Sequence, residues 1–271
     1  MRYTEVRFSG VSAEQNDILI AKLADTGYEG FEENGQNLSA FIDEEQFDKT
    51  LLDGIAGDAG LAYTTSSIEQ QNWNAQWESS FEPVVINDFA TVRAAFHAPA
   101  TQVQYEIIIT PKMSFGTGHH ATTFLMIEQM SRLDLKGKSV FDFGTGTGVL
   151  AILAHKMGAA DIVAIDNDEW SIDNTKENIA TNNAQEIVVQ KADTVDTGRK
   201  YDIILANINL NVLVASMAAI AAVSYPHTQI LLSGVLSTDE AAIKASLVAN
   251  GLVFKELKEK NNWLCIRASA S

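Results

Sequence analysis

One short run constrains this chain more than any other: SVFDFGTGTGVL at residues 139–150. Val140, Phe141 and Phe143 give the brief apolar stretch that a buried strand of a parallel sheet presents. Gly144, Gly146 and Gly148 follow at alternate positions, separated by Thr145 and Thr147, and an alanine-rich apolar segment over 149–157 continues with helical character. Strand, glycine turn and helix in that order put bare backbone at the carboxyl end of a sheet, the edge where open α/β folds bind ligands. The spacing is G-x-G-x-G with Asp142 two residues upstream, which departs from the G-x-G-x-x-G of dinucleotide enzymes. A glycine turn alone specifies little, so its surroundings decide what it holds.

Those surroundings alternate. Downstream, strands are predicted over 161–165 (ending in Asp166), 186–190, 201–206 (ending in Asn207) and 229–233, with helices over 169–182, 212–223 and 238–249 between and after them. Strands over 252–259 and 263–268, joined by a short polar turn, predict a closing antiparallel pair. Alternation of this kind implies a doubly wound parallel sheet. Upstream lie strand-like runs at 84–86, 91–96 and 105–110, then a second glycine loop, PKMSFGTGHHATT at 111–123, after which Thr122 or Thr123 opens a helix. A glycine loop and a helix start so near the central strand suggest a second wall of the same pocket, favourable to anionic groups such as a carboxylate.

The first part of the chain reads differently. A strand over 2–8, a helix capped by Ser12 and ending at Gly27, strands over 28–33 and 37–42 joined by Asn34-Gly35, a helix over 44–59 with Phe47, Leu51, Leu52 and Ile55 on one stripe, and a strand over 61–68 give the order β-α-β-β-α-β. That is the ferredoxin-like split unit, an α+β domain. It holds no histidine and no cysteine, so residues 1–68 are assigned to recognition. Residues 69–83 form a polar linker in which Trp73, Trp77 and Phe81 recur four apart, a spacing that docks a segment onto a neighbouring domain, and Pro83 closes it. Residues 84–271 form the catalytic domain.

With 271 residues and 46% hydrophobic side chains, the chain can bury a core in each part. The one cysteine, Cys265, rules out an internal disulfide framework and fits a reducing compartment. The alternating start MRYTEVRFSG lacks the pattern of a secretory signal, and the most apolar stretch, 212–223, is too short to span a bilayer, so a cytoplasmic protein without a membrane partner is expected. A formal net charge of −16 disfavours a free nucleic-acid substrate and favours encounter with a basic partner.

Asp166 follows Gly144 by 22 residues at the end of the next strand, where an acid accepts hydrogen bonds from the ribose hydroxyls of a nucleotide-like ligand; it could also cap the helix that follows. Asn207, in the run ANINLNVL, offers an amide at the end of the fourth strand. For dinucleotide chemistry the glycine spacing is wrong and no hydride-relay pair is evident. For S-adenosylmethionine the pieces fit: a glycine turn beside the amino-acid portion, an acid for the ribose, and an amide that accepts hydrogen bonds from an acceptor amine. Methyl transfer is an in-line displacement accelerated by positioning and desolvation, with no acid–base dyad required. His119 and His120 in the second glycine loop lack companions at metal-ligand spacing, so no metal is expected; His155 reads as structural, and Asp193 could meet the adenine amino group.

Taken together, SFGTGHHATT, VFDFGTGTGVLAI, AIDND and ANIN, with WNAQWESSFEP upstream, resemble the PrmA family, methyltransferases of the eleventh protein of the large ribosomal subunit. The resemblance covers nearly the whole chain. It implies a class I, Rossmann-like S-adenosylmethionine-dependent methyltransferase sheet joined to the small N-terminal domain. Cofactor contacts are implied at Thr123, Gly144, Asp166 and Asn207, with Gly146, Asp142 and Phe115 completing the two glycine loops and Asn207 as the catalytic group. The implied reaction is trimethylation of lysine ε-amines and of the N-terminal α-amine of that ribosomal protein by a monomer. A methyltransferase of RNA or of a small-molecule amine is the alternative. Two departures from the family pattern stand out: His119 and Ala121 replace Thr and Pro in the second loop, and Asn209 replaces Leu after ANI.

Overall fold

The computed structural model describes residues 2–69, 82–111, 118–195 and 198–271. Two compact units, Met1–Ser80 and Phe81–Ser271, divide the chain. Trp73, Trp77 and Phe81 of the linker, and Phe115 of the second glycine loop, lie outside the described residues.

The first unit runs β1 (Arg2–Ser9), α1 (Ala13–Ala24), β2 (Gly30–Asn34), β3 (Asn37–Asp43), α2 (Lys49–Ala59) and β4 (Tyr63–Glu69). Its sheet has the order β2-β3-β1-β4, antiparallel throughout. Alternation along β1 turns Val6 and Phe8 inward, where they meet Leu38, Ala40 and Ile42 of β3, Leu19 and Leu23 of α1, and Leu52 and Ala56 of α2. Ser12 opens α1 through a reciprocal capping box: its hydroxyl accepts from the Gln15 backbone N–H and the Gln15 side chain accepts from its own. Two local expectations shift. Asn34 pairs with Asn37, so Gly35-Gln36 make the hairpin turn with Gly35 at φ +63°, the pattern of a type II′ turn. Asp48 caps α2 by accepting from the N–H groups of Thr50 and Leu51, so the helix starts later than its apolar stripe suggests and Phe47 packs on the core from outside it.

The second unit opens with a small sheet: β5 (Val84–Ile86) and β6 (Ala90–Ala94) are antiparallel, and β7 (Tyr105–Ile109) joins β6 in parallel. There follow α3 (Ala121–Met130), β8 (Ser139–Phe143), α4 (Val149–Lys156), β9 (Asp161–Asp166), α5 (Glu169–Thr181), β10 (Val188–Lys191), β11 (Tyr201–Asn207), α6 (Leu210–Ala222), β12 (Ser224–Leu236), α7 (Glu240–Ala249), β13 (Leu252–Lys260) and β14 (Trp263–Ala270). The main sheet has the order β10-β9-β8-β11-β12-β14-β13. Strands β8 to β12 pair in parallel with one another and β14 is antiparallel to both β12 and β13, so the expected antiparallel pair is present with β14 inserted between β12 and β13. Strand order reverses between β8 and β11, which opens a crevice at their carboxyl ends.

Alternate residues of the central strands feed two cores. Val140, Ile162, Ile203 and Leu205 face α3, α4 and the small sheet, whereas Phe141, Phe143, Ile165, Ile204 and Ala206 face α6 and α7. β12 is longer than its apolar centre suggests: it starts directly after α6 and carries an irregularity between Ser233 and Val235, at Gly234. The outer edge of β7 is not left open. Asn174, Asn178 and Asn182 recur at four-residue spacing on the buried side of α5. Asn182 Oδ1 accepts from Ile108 N–H (3.0 Å) and its Nδ2 donates to Ile108 O (2.6 Å); Asn178 Oδ1 accepts from Thr110 N–H (2.7 Å) and Asn174 Nδ2 donates to Thr110 O (3.3 Å). Helix side chains thus act as the missing strand.

Candidate functional site

The turn after β8 is built to expose backbone at the crevice. Gly144, Gly146 and Gly148 all have positive φ, at +75°, +58° and +80°. The N–H groups of Gly144 and Thr145 donate to Ile165 O, 2.9 Å each, which ties the turn to the end of β9. From outside, α5 holds two of its carbonyls: Thr175 Oγ1 donates to Gly146 O (2.7 Å) and Asn178 Nδ2 donates to Thr147 O (2.8 Å).

A cavity of about 430 Å³ lies over this turn, within the range of small-molecule sites. Following the strand order, its wall passes from Asp193 after β10 to Asp166 on β9, Gly144 and Gly146 after β8, Asn207 on β11, Gly234 on β12 and Trp263 on β14. The acids therefore sit at one end and the amide and the indole toward the other. Asp166 accepts from Gly146 N–H (2.9 Å) through Oδ2 and from Asp168 N–H (3.0 Å) through Oδ1. The cap of α5 is Asp168, not Asp166. Asn207 is only 8% exposed; among the described residues its Oδ1 has no hydrogen-bond partner, while its Nδ2 donates to Thr123 Oγ1 at 3.4 Å. A buried amide oxygen left open at a cavity wall needs a donor from whatever enters.

Several residues read from sequence meet here and others do not. Gly144, Gly146, Asp166, Asp193 and Asn207 line the cavity. Thr123 is fully buried and stands behind Asn207, touching it instead of the cavity wall. His120, not Thr122 or Thr123, caps α3: its Nδ1 accepts from Thr122 N–H and lies 2.8 Å from Thr122 Oγ1, and the ring lines the cavity. Burial holds the His120 pKa below the usual imidazole value. His119 is exposed, and His155 sits at the far end of α4, 3.8 Å from Glu186. Asn209 lines the cavity, but its Oδ1 is used to cap α6 by accepting from Val212 N–H. Among the described residues no cluster of three or more His, Cys, Asp or Glu is arranged to hold a metal ion.

Asp142, expected as a cofactor contact, is not among the residues lining the cavity. Side chains alternate along β8, so with Phe141 and Phe143 on one face Asp142 turns to the other, beneath the glycine turn, where it is fully buried and accepts from Thr145 Oγ1 at 2.6 Å. Burial pushes its pKa up from 3.8 to about 7; the nearby Asp166 charge adds to this and the Thr145 hydroxyl opposes it. A pKa raised in the folded state means that the folded chain binds the proton more tightly. The cost to stability is therefore absent well below pH 4, grows as the pH passes from 3.8 towards 7, and is complete above that. Asp142→Asn removes this titration, so its thermal midpoint is expected to gain on the wild type between about pH 4 and 7 and to hold that gain above it. A gap that stays constant over that range would show that Asp142 carries no extra proton in the native state.

Ile208, Gly234 and Trp263 are among the lining residues that the sequence does not mark. Ile208 follows Asn207 and is squeezed between two glycines. A Cβ at Gly144 would overlap Ile208 Cγ2, and one at Gly234 (φ +88°) would overlap the Ile208 carbonyl. A glycine inside a strand is the one local sign that another backbone passes close to β12.

The residues fit S-adenosylmethionine. Gly144 and Gly146 line the cavity with bare backbone, Asp166 presents its carboxylate at one end, and the buried Asn207 Oδ1 lacks a donor among the described residues. Comparison with known proteins agrees. The family described as ribosomal protein L11 methyltransferase (PrmA) matches over residues 4–271. A ribosomal protein L11 methyltransferase of Phocaeicola vulgatus is 39% identical over 98% of this chain and 99% of its own. One of Porphyromonas gingivalis is 40% identical over 93% of this chain and 89% of its own. Among solved structures, a ribosomal protein L11 methylase from Lactobacillus delbrueckii subsp. bulgaricus superposes with a TM-score of 0.66 at 27% identity, covering 70% of this chain and 100% of that one.

Proposed function

The chain belongs to the ribosomal protein L11 methyltransferase (PrmA) family, and from that premise we propose how its residues methylate the amines of that protein. The enzyme is an S-adenosylmethionine-dependent protein methyltransferase acting on ribosomal protein L11. Bound at this site, S-adenosylmethionine supplies a sulfonium-activated methyl group, whose C–S bond breaks as the acceptor nitrogen forms the new C–N bond.

In our reading Asp166 takes the ribose hydroxyls, Gly144 and Gly146 give the amino-acid portion room beside the turn, and Asn207 receives the acceptor. Asn207 is the observation that carries the proposal: a nearly buried amide at the end of β11, steadied by Thr123, with its oxygen unpaired at the cavity wall. An entering amine donates an N–H to that oxygen, which aims its lone pair away from Asn207 and along the cavity. The nucleophile must be the neutral amine, although a lysine with its ordinary pKa of about 10.4 is mostly protonated near neutrality. Burial beside Ile208 and Val212 favours the neutral form by desolvation and excludes water from the reacting atoms.

The acceptors proposed are lysine ε-amines and the N-terminal α-amine of L11, each carried to the trimethyl state. The first unit is proposed to grip that basic protein, and the formal charge of −16 favours its approach. Among the described residues no helix is long and apolar enough to cross a membrane; we place the enzyme in the cytoplasm, as a monomer without a nucleic-acid substrate. Incubation with S-adenosylmethionine and unmethylated L11, followed by intact-mass and peptide mass spectrometry, is expected to show methyl groups on amines of L11 and none on ribosomal RNA supplied in parallel. Methyl transfer to the RNA alone would overturn the assignment of the acceptor.

A further inference from the structure

Successive methylation poses a problem of recognition that Asn207 cannot solve alone. Its open Oδ1 is an acceptor, so it recognises a nitrogen by an N–H group. Each transfer places a methyl group on the nitrogen lone pair and leaves the nitrogen positively charged, and only the later loss of a proton exchanges an N–H for that methyl group. The mono- and dimethylated ammonium ions lose a proton to water before the next round, and the trimethylated product has none to lose. Any group that holds the later species must recognise methyl groups around a delocalised positive charge.

The cavity offers such a group on the side away from the nucleoside acids. Across the sheet, β11 carries Asn207, the next strand carries Gly234, and the one after that carries Trp263. At about 4.8 Å per strand, Cys265 lies roughly 10 Å across the sheet from Asn207, and Trp263 sits two residues further along β14, on the side opposite Asp166 of β9. The backbone positions Trp263 firmly: it pairs with Leu236 of β12 and with Lys260 of β13, and the hairpin turn at Asn261-Asn262 has positive φ at both residues, 51° and 64°. His120 meets the indole edge-on, with ring centroids 4.7 Å apart and planes at 67°, and both rings line the cavity. His120 reaches there as the cap of α3, the helix whose first turn also carries Thr123, the partner of Asn207. The cation of this hairpin is already placed: Lys260 Nζ sits 3.9 Å from the centroid of Phe124.

We propose that Trp263, backed edge-on by His120, is the specificity-determining surface of the acceptor site, receiving the methylated ammonium face-on and carrying the reaction past the first methyl to the trimethyl state. The inference rests on the reaction proposed above. Rings in this arrangement attract a methylated ammonium through the face of the π system, and the attraction needs no N–H. Asn207 then selects the unmethylated amine and the aromatic wall selects its products.

Trp263→Leu is expected to slow the third transfer about tenfold more than it slows the first. Mono- and dimethyl forms of L11 should accumulate in the mass spectrum. Trp263→Phe, which keeps a ring, should restore most of the trimethyl product. Tetramethylammonium is expected to compete with L11 in the wild type and much more weakly in Trp263→Leu. A Trp263→Leu enzyme that trimethylates at the wild-type rate, or that loses all three transfers in equal proportion, overturns the proposal. So does an absence of competition by tetramethylammonium in the wild type, which decides the matter even if the leucine variant fails to fold. A wild type that transfers no methyl group to L11 at all overturns the reaction itself, a different result from an altered distribution of methyl states.

Discussion

Alanine at position 166 is expected to weaken S-adenosylmethionine binding about a hundredfold, close to 3 kcal/mol, because it removes a carboxylate that receives charge-assisted hydrogen bonds. The side chain does two things in the site. Its oxygens face the cavity at the end of β9, and Oδ2 also accepts from Gly146 N–H at 2.9 Å, holding the turn that the cofactor rests on. Asp166→Asn separates the two. Its amide oxygen can still accept from the Gly146 N–H while the full negative charge toward the ribose is lost, so its affinity should fall between those of wild type and alanine. Calorimetry with S-adenosylmethionine measures both. An alanine variant with unchanged affinity would show that the ribose hydroxyls are held elsewhere.

The second large effect is expected at a residue that has no functional group. Gly234→Ala is expected to cost about 3 kcal/mol of stability or more, from strain at φ +88° and from overlap of the new methyl group with the main chain of Ile208. To relieve the overlap Ile208 must move, and Asn207 moves with it. A displacement on the order of 1 Å at the reacting end of a site can lower turnover about a hundredfold. The affinity for S-adenosylmethionine should change less, since Asp166 and the glycine turn are anchored to β9 and α5. Gly144→Ala provides the contrast, because there the overlap is with the Ile208 side chain. Adding Ile208→Ala should recover part of the activity lost by Gly144→Ala and little of that lost by Gly234→Ala. Thermal melts and single-turnover rates on the four variants test this; equal rescue in both backgrounds would show that the main-chain overlap at Gly234 is unimportant.

What sequence could reveal divides along the line between local and non-local signals. The glycine turn, the acid at the end of the next strand and the amide at the end of the fourth each sit at the tip of a strand with a clear apolar run behind it. The topology of an open α/β sheet brings such tips together, so Gly144, Asp166 and Asn207 were legible before any coordinates. Asp142 misleads for a local reason: in a strand buried on both faces every residue looks equally internal, and only the direction of its side chain separates a cavity residue from a core one. Gly234 and Trp263 were hidden because nothing near them in the chain marks them as neighbours of the turn. They arrive through the pairing of β12 with β14, whose register depends on the whole sheet. His120 was displaced by its own neighbours, since threonine is the familiar cap and histidine a rarer one.

The asparagine ladder on α5 has a consequence outside catalysis. A strand edge with free N–H and C=O groups is a template for any other extended chain, and at high protein concentration such edges seed intermolecular sheets. On the outer side of β7, Ile108 and Thr110 spend those groups on side chains of a helix, which have no periodic backbone to extend the ladder further. The strand is thereby closed to another molecule without a covering strand. Protection of this edge is in this way written into one face of a helix whose Thr175 and Asn178 also hold the glycine turn.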